Sequence, residues 1–399
     1  MMGSSSKLPN SDSSHLHLAQ PTPEECTQIW TNTATSWKDS LTTALYIDQN
    51  WYLSTVPHTK DGGITHWVLV DKDQSPNHRQ VFCSCESYRQ RSLIADEKGN
   101  VEEGIVHGIA SVFCPSELRG RGYGTRHMKE LAMALYGWQT EHGKSIGSVL
   151  YSDIGKDYYA RAGWLPDPGN GHFVLPSIKM EKPAMAKPIH ESELEALCLR
   201  DEAMIRKAMA TPSEVRKRVV VLPDLDHMIW HIRKEDFVTN YLFGKNPRVR
   251  GVIAGSPGKQ VWALWVRRYF KHPDNSEETE VDGASGLYIL RLVVEGDETA
   301  NKPHEGPFSL PTAAYLKQAA ALKAVLQAAQ AEAAEWRLGR VKLWEPSPLV
   351  ESLLGKSGLD AIRVERTETF VSCAQWYNED SDVAEDAPAW VNNEHYAWC

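Results

Sequence analysis

The stretch from Ser111 to Leu131, SVFCPSELRGRGYGTRHMKEL, constrains this chain more than any other. An apolar strand runs into an Arg/Gly-rich turn, and the turn opens an amphipathic helix. Upstream, Ile105 to Phe113 is a β-branched run suited to a central strand. Downstream, Met128, Leu131, Ala132, Leu135 and Trp138 recur at helical spacing. Between them Arg119, Gly122 and Gly124 spell R-x-x-G-x-G, with Gly120, Arg121, Tyr123 and Thr125 completing the loop. Glycines let backbone N–H groups approach a ligand closely, and a helix start adds unpaired donors and a positive dipole end. Such a turn is a seat for pyrophosphate, which points to an enzyme holding a nucleotide-bearing cofactor.

Two other nucleotide folds compete for this loop. A triphosphate-binding loop ends in Lys-Ser/Thr, but Thr125 follows Gly124 with no lysine before it. A dinucleotide fold places its glycine loop on the first strand, with an acidic residue about twenty positions on. Glu141 sits near that offset but falls in the helix, and several strand candidates precede the loop. Neither fits.

After the helix, Ser148 to Ser152 reads as a buried strand, followed by IGKDYYARAGW with Tyr159, Arg161, Gly163 and Trp164 in a Y-x-R-x-G-W pattern. At this point the chain resembles the GNAT acyltransferase superfamily, whose R/Q-x-x-G-x-G/A loop binds the pyrophosphate of acetyl-CoA. SVLYSDIG…YYARAGW, CESYRQRSL at 85–93 and IWHIRKEDF at 229–237 are similar, more narrowly, to the fungal lysine N6-acetyltransferases. That resemblance implies a two-domain protein of lysine catabolism acetylating the side-chain amine of free lysine. The expected fold is a mixed α/β sheet of GNAT type, followed by a second GNAT-like domain without the pyrophosphate loop.

The order of segments supports the second domain. Residues 1–20 read as a disordered tail, 21–180 as the catalytic domain and 189–399 as the second domain, with a Pro/Lys-rich linker at 176–188 between them. Pro21 to Trp37 has a helix-start composition, with Thr22 as cap and Pro23 in the first turn. Trp67–Val70, Gln80–Ala95 and Ile105–Phe113 form an antiparallel meander leading to the loop. In the second half, strand candidates Val249–Ala254, Val261–Val266 and Leu287–Val294 precede an Ala/Leu-rich helix from about Pro311 to Trp336. A strand at Arg340–Trp344, a short helix at Pro348–Leu354 and a final strand near Ile362 to Val371 follow. This repeats the first half; an unrelated α/β domain is the alternative. The acidic stretch 379–386 reads as a linker, and the aromatic terminus HYAWC is expected to pack back on the body.

The resemblance implies direct attack of an amine on the thioester, with no covalent enzyme intermediate. Val112, Phe113 and Cys114 then supply backbone groups to the pantetheine and a donor to the thioester oxygen, and N–H groups from Arg119 to Thr125 hold the pyrophosphate. Tyr159 is assigned to the departing thiolate, the alternative being a core aromatic beside Tyr158 and Trp164. A phenol has a pKa of about 10 against about 8.5 for a thiol, so it stabilises the thiolate by hydrogen bonding without full proton transfer. For the base that deprotonates the amine the candidates are Glu86, Asp153 and His107, in that order. Glu86 is equally explained by pairing with Arg89 or Arg91, and His107 by a satisfied core position. His231 and Arg233 are hypotheses for the acceptor's carboxylate, with a domain-interface role as the alternative.

Composition narrows the class. A net charge of −9 disfavours nucleic acid, and the basic groups at 216–218 and 267–268 read as solvated surface. No apolar run approaches the roughly eighteen residues of a membrane span, and no secretory signal is visible. Seven scattered cysteines imply a reducing compartment, no structural disulfides and no metal site. The expectation is a cytoplasmic enzyme with acetyl-CoA as cosubstrate and a small amine as acceptor. A polyamine, another small amine or a protein lysine is the near alternative, and a non-catalytic CoA-binding scaffold the distant one.

Overall fold

Helix α1 (Pro23–Trp37) starts where the side chains say it must: the Thr22 hydroxyl accepts from the Glu25 N–H, the Glu25 carboxylate accepts from the Thr22 N–H, and Pro23 fills the first turn. A computed structural model describes residues 8–274, 285–297, 315–377 and 387–398. Strand β1 (Leu16–Ala19) precedes α1, and α2 (Thr43–Leu53) follows it. Next come the antiparallel strands β2 (Ile64–Asp71), β3 (Cys83–Asp96) and β4 (Val101–Phe113). Helix α3 (Tyr123–Tyr136) carries the chain to β5 (Lys144–Ser152), which lies parallel to β4. Helix α4 (Asp157–Ala160) leads to β6 (Leu165–Pro166), β7 (Gly171–Pro176) and β8 (Lys187–Ile189).

The second half contains α5 (Leu194–Met209), β9 (Lys217–Val221), α6 (Leu225–Phe243), β10 (Gly251–Ala254), β11 (Val261–Arg268) and β12 (Gly286–Val294). Then come α7 (Leu316–Glu335), β13 (Arg340–Trp344), α8 (Pro348–Lys356), β14 (Ile362–Glu365), β15 (Val371–Trp376) and β16 (Ala389–Trp390). Strand β12 is buried at every position, which is why it reads as an unbroken apolar run. Helix α7 lies close on this sheet through buried alanines, among them Ala321, Ala324, Ala328 and Ala329. The Pro311 start expected for this helix lies outside the described residues, as do most of the loop before it and the acidic stretch 379–386.

The halves repeat one plan and exchange a strand. The first sheet runs β1-β2-β3-β4-β5-β15-β6, with β9 also on β3 and β16 on β9; the second runs β14-β7-β13-β12-β11-β10-β8. In each, a strand, a helix and a parallel strand recur: β4–α3–β5 and β12–α7–β13. Strand β7 leaves the first half to pair with β13, setting Phe173 opposite Leu343. Strand β15 crosses back to pair with β5, setting Cys373 opposite Leu150.

Several expectations change accordingly. The tail expected over 1–20 contains β1, because Leu16 is buried and its strand pairs with β2 from Leu16↔Asp71 to Ala19↔Val68. The single strand expected near 362–371 is two, β14 and β15, in different sheets. The division at 180/189 does not divide the sheets, since β7 belongs to the second and β9, β15 and β16 to the first. Apolar periodicity reports which face of a strand is buried, not which edge it pairs with. Nor are the basic groups solvated throughout, although Arg216 is exposed. Arg218 is buried and donates to the Met209 and Thr211 carbonyls at 3.0 and 2.9 Å. Arg267, with no exposed side-chain surface, pairs with Glu235 at 2.7 Å and with Glu332.

The C-terminal segment packs back as expected. Tyr396 is fully buried and its hydroxyl donates to the Val221 carbonyl at 2.6 Å. Pairing of β12 with β13 covers only Leu287↔Val341 to Ile289↔Leu343, and the segment fills the opening beyond. There Glu394 accepts from the Leu292 N–H at 2.8 Å and pairs with Arg291, while His395 lies 4.5 Å from the Tyr288 ring and 4.4 Å from that of Trp344. The six described cysteines are free thiols. Among the described residues no helix is long and apolar enough to cross a membrane.

Candidate active site

In the first sheet the corresponding opening is not filled by any strand or segment among the described residues. Strands β4 and β5 pair from Gly104↔Lys144 to Ile109↔Leu150 and then part. The cause is a bulge: the β3–β4 register shifts between Ser84 and Glu86, and Ser111 takes a left-handed φ of 54°. A non-glycine residue in that region costs about 1–3 kcal/mol and persists only where its surroundings hold it. The last residues of β4, Ser111 to Phe113, therefore border a cleft rather than a neighbouring strand on the β5 side.

At the end of this cleft lies the glycine loop. Gly120 and Gly122 have φ of 74° and 86°, and Gly122 is the residue before the first turn of α3. No side chain caps α3 and no acid stands in its first turn, so its leading N–H groups are left for a ligand. A Cβ on Gly124 would meet the Tyr158 hydroxyl at 2.4 Å. This cradle of backbone donors fits a pyrophosphate. The expected residues divide in how they serve it. Arg121 stays at the loop surface and Thr125 is half-buried beside Tyr158, but Arg119 turns its Nε to the Cys114 carbonyl at 2.9 Å, with its guanidinium 5.6 Å from the Phe113 ring. Tyr123 is buried among Leu16, Leu69 and Phe82 and donates to the Pro9 carbonyl, so it offers the ligand only its backbone. Arg126 binds the carbonyls of Ser11 and Leu16 at 3.0 and 3.2 Å, bracing the loop with the N-terminal segment.

Beside the last residues of β4 opens a cavity of about 190 Å³. Glu86, Val112, Asp153 and Tyr159 all line it; His107, Phe113 and Cys114 do not. His107 is fully buried within β4, and burial pushes it down to about 4. Glu86 is gripped on both oxygens: Trp30 Nε1 at 3.2 Å and His66 Nδ1 at 3.5 Å on one, Tyr88 and Ser111 hydroxyls each at 3.2 Å on the other. Burial acts to raise its pKa, but the contacts from His66, Trp30 and Ser111 outweigh this and hold it below the usual carboxylate range. Its pairing with Arg89 or Arg91 is not seen: Arg91 binds Glu202 at 2.9 Å. Burial pushes the Tyr159 phenol well above its usual range, with a smaller push from Tyr158. Asp153 sits exposed at the mouth and accepts from the Phe370 N–H at 3.3 Å.

The second half closes the cavity, though not with the residues expected from the sequence. His231 lies in the core, its Nε2 donating to the Tyr396 carbonyl at 2.9 Å, and Arg233 is tied to Glu191 and Asp236. Instead Lys234 from α6, Arg268 from β11 and Trp398 from the C-terminal segment line it, with His66 from β2 on the Glu86 side. Sequence reading missed all four. Lys234 stood in the IWHIRKEDF stretch beside Arg233, Arg268 in the basic doublet read as surface and Trp398 in the aromatic terminus, but none was assigned to a site. Away from the cavity, exposed His15 and Asp73 and half-buried Asp71 have ligand-type atoms within 4.8 Å of one another, with His15 already paired to Asp73.

The family model described as the LYC1 GNAT-like C-terminal domain matches residues 172–399, from within β7 to the last residue. No curated protein matches the chain. Among solved structures, a GCN5-related N-acetyltransferase from Kribbella flavida is similar over 90% of this chain and 70% of its own, at 14% identity and a TM-score of 0.46. A probable N-acyltransferase from Enterococcus faecalis matches over 90% and 72%, at 11% identity and 0.49. The Saccharomyces cerevisiae N-myristoyltransferase with bound myristoyl-CoA matches over 99% and 87%, at 10% identity and 0.49.

Proposed function

The chain belongs to the family of the LYC1 GNAT-like C-terminal domain, and on that premise we propose that it transfers acetyl from acetyl-CoA to a primary amine, the side-chain amine of free L-lysine. Acetyl-CoA supplies an activated acyl carbon: the amine nitrogen bonds to it, the C–S bond breaks and the sulfur departs as thiolate. The observation that carries this reading is the meeting, at the end of β4, of an uncapped glycine-loop helix with a cavity lined by Glu86 and Tyr159.

Each residue then has one task. The leading N–H groups of α3 hold the pyrophosphate. Backbone groups of Val112 to Cys114 orient the pantetheine, and an N–H at the bulge stabilises the oxygen of the reacting carbonyl. Glu86, with four donors occupying its lone pairs, acts as a fixed negative charge that draws the acceptor's ammonium inward. His66 donates Nδ1–H to Glu86, which leaves its other ring nitrogen to take the ammonium proton. The Tyr159 phenol, kept neutral by burial, donates a hydrogen bond to the departing sulfur.

A small acceptor suits the space. About 190 Å³ is below the roughly 300–1,000 Å³ of sites for drug-sized ligands. Closure by Lys234, Arg268 and Trp398 disfavours a protein lysine, which needs an open groove. The test is free-thiol release from acetyl-CoA across L-lysine, ornithine, spermidine, a small aromatic amine and a histone-tail peptide. Saturable turnover confined to L-lysine is expected. Turnover only on another amine removes lysine as acceptor, and silence on all of them removes the transferase reading.

A further inference from the structure

The N-terminal segment, expected from the sequence to be disordered, lies across the start of α3. The Tyr123 hydroxyl donates to the Pro9 carbonyl, and Arg126 donates to the carbonyls of Ser11 and Leu16 at 3.0 and 3.2 Å. The Nε of Arg126 donates to Glu130 at 2.6 Å, and the other oxygen of Glu130 accepts from the Leu18 N–H at 2.8 Å. Leu16 is buried beside Leu118 and Tyr123. Residues 9–18 thus form a strap tied to the first two turns of α3. Every nitrogen of the Arg126 guanidinium is engaged in these ties, so this residue positions the strap.

Two hydroxyls from outside the loop stand against its last two glycines. A Cβ on Gly122 would meet Ser11 Oγ at 2.6 Å and one on Gly124 would meet the Tyr158 hydroxyl, whereas a Cβ on Gly120 would meet nothing within 4 Å. The Tyr158 hydroxyl is engaged with the Thr125 side chain. The half-buried Ser11 has, among the described residues, no hydrogen-bond partner for its hydroxyl. A serine this close to a helix start ordinarily accepts from one of the leading N–H groups, but α3 carries no side-chain cap. Hydroxyl and N–H groups therefore stand side by side as donors. An anionic oxygen between them satisfies both, and hydrogen bonds to a charged acceptor are roughly twice as strong as neutral ones.

We propose that Ser11 is a cofactor-binding residue whose hydroxyl donates to the pyrophosphate of acetyl-CoA at Gly122, and that the strap from Pro9 to Leu18 forms one wall of that seat. The inference rests on the acetyl-CoA reading above and deepens it. The glycine loop supplies backbone donors, Ser11 supplies a side-chain donor, and Arg126 and Tyr123 hold the strap that carries it. The N-terminal residues thereby set cofactor affinity and leave acetyl transfer to the residues of the cavity.

The test is calorimetric titration of the full-length protein with CoA and with 3′-dephospho-CoA, alongside acetyl-transfer kinetics on L-lysine. Ser11→Ala is expected to weaken both ligands about tenfold and to raise the KM for acetyl-CoA by the same factor. Its kcat, its KM for L-lysine and its thermal stability stay unchanged. Ser11→Thr, which keeps the hydroxyl, retains most of the affinity. Ser11→Asp sets a carboxylate against the leading N–H groups and weakens CoA further than Ser11→Ala does. Arg126→Met releases the strap, and its loss of CoA affinity is expected not to add to that of Ser11→Ala. Unchanged CoA affinity in Ser11→Ala overturns the assignment. So does a loss seen with CoA but not with dephospho-CoA, which would move the hydroxyl to the 3′-phosphate. Losses that add in the double variant overturn the positioning role of Arg126. A wild-type protein that binds neither ligand sinks the acetyl-CoA reading itself, whereas binding indifferent to Ser11 leaves that reading standing.

Discussion

The Tyr158 hydroxyl stands 2.4 Å from the point a Cβ on Gly124 would occupy. The next nearest atom of that ring is 3.7 Å away, an ordinary contact, so the conflict lies in the hydroxyl alone. Gly124→Ala is expected to displace the ring or the loop and raise the KM for acetyl-CoA about tenfold, within the roughly 1–3 kcal/mol of an overpacked site. Tyr158→Phe in the same chain relieves the clash and restores most of the affinity. Titration of both variants with CoA checks this; no recovery in the double variant refutes the steric account.

Tyr159 is buried and its phenol is held neutral well beyond physiological pH. Tyr159→Phe keeps the ring and its packing but removes the donor to the sulfur. We expect kcat to fall about 10²-fold with CoA binding retained. Because the phenol does not ionise between pH 6 and about 10, the variant's pH–rate curve keeps the wild-type shape. An unchanged kcat removes Tyr159 from the chemistry.

Replacing Glu86 by glutamine turns one end of the carboxylate into a donor: toward Trp30 and His66 it would face N–H groups, and toward Tyr88 and Ser111 both hydroxyls must turn from donating to accepting. The expected cost is about 1–3 kcal/mol of stability, together with a rise in the amine's KM and no change in that of acetyl-CoA. Chemical denaturation and steady-state kinetics separate the two effects. A rise in the KM for acetyl-CoA instead would place Glu86 on the cofactor side.

Glu25 offers a pH test remote from the cavity. Burial opposes its ionisation, but the Arg79 guanidinium, 2.9 Å away, and the N–H groups of Thr22 and Asn77 bring it to about 2. A carboxyl lowered on folding stabilises the protein above its unfolded pKa, near 4.5, and ceases to do so as pH falls toward 2. Glu25→Gln is expected to cost about 1–2 kcal/mol at pH 7, after allowance for screening. The difference from wild type closes as pH drops from about 4.5 to 2. A pH-independent difference would assign the loss to the helix cap alone.

What the sequence made legible was local. Strand, loop and helix around Arg119 to Thr125 follow one another in the chain, as do Thr22, Pro23 and Glu25 at the start of α1. The cavity was not legible as a unit: Glu86 was singled out, but His66, Lys234, Arg268 and Trp398 reach it from distant elements that only the exchanged sheets bring together. Arg267 and Arg268 show the difficulty most plainly. Neighbours on a strand point to opposite faces, so one enters a core of ion pairs and the other the cavity, where the sequence displays only a basic doublet. The bulge at Ser111 likewise depends on the partner strand, and no glycine announces it.

The strand exchange also orders events in time. Strand β5 finds its outer neighbour in β15, close to the end of the chain. During synthesis at about 5–20 residues per second, the finished β4–β5 pair waits on the order of ten seconds with a bare edge, the kind of surface that recruits foreign strands. A chain stopped just before Val371 would carry Glu86, Tyr159 and the whole glycine loop, yet leave that edge uncovered for good. The edge of β5 is therefore covered only once β15 has emerged, and fragments that lack β15 are candidates for aggregation whatever else they carry.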